Sequence, residues 1–119
     1  MEIASPAPQV AIVTIRGRDV GELGDAPFHG LEPLVSEGLR LFIDARATRG
    51  ASVEVSGDWA LWLHKHRDAL REVTMLTGSR FVHVTADFVR RFAELGELMR
   101  ITTDPAAFDE ALAEALRSS

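Results

Sequence analysis

Four short apolar, largely β-branched runs alternate with four segments whose apolar residues recur at helical spacing, and this order constrains the fold more than any motif does. A strand, a helix and a second strand in succession close most readily into parallel pairs with the helices laid on the sheet faces. The strand-like runs are Gln9 to Ile15, Leu39 to Asp44, Val73 to Leu76 and Leu98 to Thr102. The first has apolar residues on both alternating faces, the pattern of a strand covered on both sides. The helical segments run from Ala26 to Glu37, from Gly57 to about Arg71, from Ala86 to Leu95 and from Pro105 to about Leu116. Residues 80–85 fit either a strand or a helix. If helical, Phe81, Val84, Phe88, Phe92 and Leu95 share one face. Asp104 followed by Pro105 is a helix start of the favoured kind. The expectation is one α/β domain over residues 9–117, with a mostly parallel sheet of four to five strands under helical cover. Residues 1–8, with two prolines, read as a flexible tail or an edge-strand lead-in.

The composition narrows the chemistry. There is no cysteine, which removes disulfides, thiolate catalysis and cysteine zinc sites. Thirteen lysines and arginines against 18 aspartates and glutamates make a formal charge of -5, a poor match to nucleic acid. No apolar run reaches the roughly 18 residues of a membrane helix, and the first residues lack the pattern of a signal peptide. The expected setting is the cytoplasm, with no membrane and no nucleic acid as partner. His64 and His66, two apart on a helix, point away from each other and cannot share a metal; no metal and no cofactor are expected. His66 lies on the apolar stripe, as a satisfied core or interface histidine would. No nucleophile elbow, phosphate loop or dinucleotide glycine pattern occurs.

The segment Glu54-Val55-Ser56-Gly57-Asp58-Trp59 carries the best-placed polar group. Ser56 reads as the N-cap of the second helix, worth about 1 kcal/mol, with Asp58 adding charge to its first turn. A hydroxyl at that end of a helix dipole is also where an anion is readily held. Asp44 and Arg46 leave the end of a central strand, the edge where open α/β sheets bind ligands, so Asp44, Arg46, Arg49 and Ser56 can form one polar rim. Trp59 and Trp62 follow directly and are candidate partner anchors, of which one, not both, is expected to be fully buried.

These elements resemble the STAS domain of sulfate transporters and anti-sigma-factor antagonists. That family places an acidic-x-Ser-Gly signature between a strand and a helix, and here Glu54-Val55-Ser56-Gly57 matches it, after Phe42-Ile43-Asp44. The tail, Leu98 to Thr102 with Asp104 and the stretch from Ala106 to Ala111, looks like the family's last strand and C-terminal helix. The resemblance implies a phosphoacceptor role for Ser56, with a partner that is both kinase and anti-sigma factor. Three departures stand out: Glu54 replaces the family's aspartate, Val55 replaces a small residue, and the loop from Asp44 to Glu54 is longer. The expected function is a regulatory, non-enzymatic protein-binding module. Its docking surface would comprise Asp44, Arg46, Glu54, Gly57, Asp58, Trp59 and Trp62, its partner would be a protein, and a homodimer is possible. The alternative is a small-ligand or lipid-binding domain with a site at the strand edge near Asp44, Arg46 and His29, recognisable by a closed apolar pocket beneath Phe28, Phe81 and Phe88.

Overall fold

A computed structural model describes residues 2–19, 30–35, 37–51 and 53–118, without the side chains of 16–19, 49–51 and 53–55. Its single sheet has five strands in the order β1 (Glu2–Ala7), β2 (Val10–Asp19), β3 (Leu39–Ala51), β4 (Leu70–Thr77) and β5 (Met99–Thr102). The first pair is antiparallel, joined by a tight turn in which Gln9 takes φ 64°. The other three pairs are parallel, as the alternation requires. Helix α1 (Val53–Lys65) connects β3 to β4, α2 (Arg80–Phe92) connects β4 to β5, and α3 (Pro105–Arg117) follows β5. No helix among the described residues is long and apolar enough to cross a membrane. Glu2–Ala7, in the stretch read as a tail or strand lead-in, form the edge strand β1.

Period-two alternation sends neighbouring strand residues to opposite faces. In β3, Leu41 and Ile43 face one layer with Val13 and Val73, where α1 and α2 cover them with Trp59, Ala60, Leu63, Ala86 and Val89. Phe42 faces the other way and meets Val10, Leu76, Phe108 and Ala115 beneath α3. Its ring packs edge-on against Phe108 at 5.9 Å. The α3 start is the expected one: Asp104 accepts from the Ala106 amide at 3.0 Å, with Pro105 in the first turn.

Several boundaries differ from the sequence reading. The third strand does not stop at Asp44 but runs on to Ala51, because a long β2 pairs alongside it as far as Asp19. The Thr48 hydroxyl ties the extension down by donating to the Ile15 carbonyl at 3.0 Å. The following helix therefore begins at Val53, not Gly57, and ends at Lys65 instead of Arg71, since Leu70 already pairs with Leu39. Residues 80–85 are helical; the Ser79 hydroxyl caps α2 by accepting from the Val82 amide at 3.2 Å. Of the expected helix from Ala26 to Glu37, residues 26–29 and 36 lie outside the described residues. Its described part is a helical turn at Gly30 and Leu31 leading into a 3-10 turn, Glu32–Leu34, with Leu31 fully buried.

Candidate functional site

The early start of α1 changes the position of Ser56. It is no N-cap: it is the fourth residue of the helix, four before Ala60 and three before Trp59, and so lies on the buried stripe. Its exposure is 5%. Ser56 borders an apolar cavity of about 60 Å³ between α1, α2 and the sheet, together with Ile43, Thr48, Trp59, Val82 and Val89. At roughly 10–15 Å³ per water, such a space holds a few waters and no lipid chain.

Both tryptophans are buried, Trp59 at 8% and Trp62 at 6% exposure, which corrects the expectation that one would be open. Their rings meet edge-on at 6.3 Å. Trp62 has a polar end to satisfy, and its Nε1 donates to Glu32 Oε1 at 3.0 Å. His66 Nε2 pairs with the same oxygen at 3.0 Å, and its ring tilts over Trp62 at 4.7 Å. Glu32 thus joins the segment before β3 to α1, and the His66 hydrogen bond, chief among several causes, lowers its pKa below the ordinary carboxyl value. His66 is a satisfied interface histidine, and His64 pairs its Nδ1 with the Ala93 carbonyl at 3.1 Å.

Asp44 and Arg46 lie within β3, not past its end as the sequence suggested, and Arg46 Nε donates to both carboxylate oxygens of Asp44, at 3.0 and 3.2 Å. Arg46 also approaches Asp109 of α3 at 3.8 Å. Hydrogen bonding to Asp44, before any other cause, raises the Arg46 pKa further. Asp44 and Arg46 therefore neutralise each other beside the sheet. Asp58 is exposed and Gly57 half-buried. The side chains of Arg49 and Glu54, and all of Phe28 and His29, lie outside the described parts of the chain.

The apolar surface that is open lies elsewhere. On α2 the face directed at the sheet is built from Val82, Ala86 and Val89. Phe81, Val84, Phe88 and Phe92, spaced three, four and four apart, lie on the outer face at 64%, 59%, 45% and 56% exposure. The rings of Phe88 and Phe92 stack at 5.8 Å. Asp87 forms ion pairs with Arg90 and Arg91 on the same helix. The sequence grouped these four correctly but added Leu95, which lies past the end of α2 and is buried in the core, and it carried no signal for the direction in which the group points. Phe81 and Phe88 accordingly do not roof the cavity.

No family model and no curated protein matches this chain. Among solved structures it is similar to the crystal structure of an uncharacterised protein of the DUF3478 family with a SpoIIAA-like fold, from Shewanella loihica PV-4. The two have 14% sequence identity and a TM-score of 0.64, over 93% of this chain and 92% of that one. The chain therefore shares the SpoIIAA-like fold, in keeping with the resemblance carried by its element order and motifs.

Proposed function

We propose that this domain is a protein-binding module of the antagonist type, and that it docks a protein partner through the outer face of α2. The observation that carries this is the row Phe81, Val84, Phe88 and Phe92. Aromatic side chains offer roughly 150–250 Å² each, so at their observed exposures the four residues present about 400 Å² of contiguous apolar surface. That is in the range of patches that mark interaction sites, and about half of one side of a standard protein interface. The Asp44 to Trp62 region first marked for docking contributes Asp44, Arg46 and Asp58 at the surface, while its two tryptophans are spent on the core. The cavity beside Ser56 is too small to favour the ligand-binding alternative.

Phosphorylation of Ser56 enters this proposal as a step that opens α1. A phosphate carries about -1.5 to -2 charges and cannot rest in an apolar cavity. It would lift the first turns of α1 from the sheet and loosen α2, which packs beside it. The test of the docking face is a photo-crosslinking phenylalanine analogue at position 88, introduced in the native cells. A discrete crosslinked protein, lost on Phe81→Ser and Phe92→Ser, supports the reading. A chain that crosslinks to nothing and sediments as a monomer at all concentrations refutes it.

A further inference from the structure

The exposed row on α2 is complementary to itself. Phe81, Val84, Phe88 and Phe92 follow one another along the helix at spacings of three, four and four. Laid antiparallel on a second copy, the row sets Phe81 against the other Phe92 and Val84 against the other Phe88. A two-fold axis repeats each pairing, so the contact is isologous and closes at two copies. The smaller Val84 leaves room for the facing Phe88 ring, which its own helix holds against Phe92 at 5.8 Å.

We infer that the partner on this face is a second copy of the chain, in a reversible dimer of antiparallel α2 helices; this rests on the reading of α2 as a docking face. Two such faces bring together about 800 Å² of apolar surface, twice the roughly 400 Å² of each row. Interfaces are roughly 60% apolar, so this corresponds to a total of about 1,300 Å², within the standard size and short of the more than 2,000 Å² of many obligate dimers. The charges beside the row favour the same order. Asp87 pairs with Arg90 and Arg91 of its own helix, and Glu94 with Arg67, so the flank of each copy is largely neutralised from within. The exposed Arg80 stands at the start of α2. A shallow depression at the other end is bordered by Arg90, Arg91, Glu94 and Glu97. Antiparallel packing brings Arg80 to the end where the other copy has Glu94 and Glu97, and it opposes the two helix dipoles. A parallel pair would set Arg80 on Arg80 and align the dipoles.

Sedimentation of the purified chain over a concentration series tests the dimer. A monomer–dimer equilibrium, half-complete at about 10–100 μM, is expected. Phe88→Ser should raise that midpoint about tenfold or more, as loss of a central aromatic anchor does. The chain has no cysteine, so one disulfide reads the order of the helices. Val84→Cys chains mixed with Phe88→Cys chains should oxidise to the mixed dimer in clear excess over either like pair. Like pairs that form as readily overturn the antiparallel dimer, and a dimer unmoved by Phe88→Ser overturns this face as its seat. A chain that stays monomeric while the crosslinker at position 88 captures a different protein in cells overturns the second copy and leaves the docking face standing. A monomer that captures nothing overturns both.

Discussion

Replacing Ser56 with glutamate puts a charge where the structure has an almost fully enclosed hydroxyl. Ser56 is 5% exposed, inside α1, beside a cavity lined mainly by Ile, Val, Trp and Met side chains. The effective cost of burying a lone carboxylate is several kcal/mol, and relief by the nearby helix start returns about 0.3–1 kcal/mol. A net loss of about 2–4 kcal/mol follows, a large part of the roughly 5–15 kcal/mol available to a domain. For a chain of this length that is a fall in melting temperature of about 10–15 °C. Ser56→Ala, which keeps the cavity wall apolar, should cost less than about 1 kcal/mol. Urea denaturation of the two variants beside the wild type measures the difference directly. If Ser56→Glu lies within about 0.5 kcal/mol of Ser56→Ala, then the start of α1 opens at little cost. The buried position would then not constrain Ser56, and phosphorylation would displace the first turns of α1 with little loss of stability.

The paired substitution Phe88→Ser and Phe92→Ser should leave thermal stability nearly unchanged, each within about 0.5 kcal/mol, because both rings are largely in solvent; a large loss would mean that the stripe belongs to the monomer core. Phe42→Ala, which removes a fully buried ring in contact with Phe108, should cost about 3–5 kcal/mol by equilibrium unfolding, and a smaller value would show that the α3 layer can collapse into the gap. Glu32 has a folded pKa below its ordinary 4.5, so its contribution is complete above that pH and is lost as pH falls through the lowered value. Chemical denaturation at a series of pH values should accordingly show a steeper acid loss for the wild type than for Glu32→Gln, and parallel curves would count against the His66–Glu32–Trp62 link. Gly78→Ala should distort the loop between β4 and α2, seen as amide shifts in both Arg46 and Gly78 neighbourhoods, whereas an unchanged spectrum would mean that the Arg46 carbonyl yields without cost.

Much of the architecture could be read along the chain. Runs such as Val10 to Ile15 and Leu39 to Ile43 prefer extended backbone and bury both faces, which already requires parallel pairing with helices above and below. Asp104-Pro105 marks a helix start through local chemistry alone, and the structure has it there. The candidate site was less legible. The helical stripe groups Phe81, Val84, Phe88 and Phe92, but that they face outward depends on how α2 lies on the sheet, and no local pattern encodes that.

The kind of each element and the parallel arrangement were set locally, by hydrophobic period, β-branching and capping, which act within a few residues. The extent of β3, the burial of Ser56 and the outward turn of the α2 phenylalanines were set by contacts between distant residues. Ladder bonds from β2 carry Ala45 to Ala51 into the sheet despite their loop-like composition, and the helix that follows must then begin before Ser56. On α2 both faces carry apolar side chains. Val82, Ala86 and Val89 face the sheet beside Trp59 of α1, and the small cavity among them leaves no room for phenylalanine rings. A helical stripe says which residues face the same way, and close packing against the neighbouring helix decides which way that is.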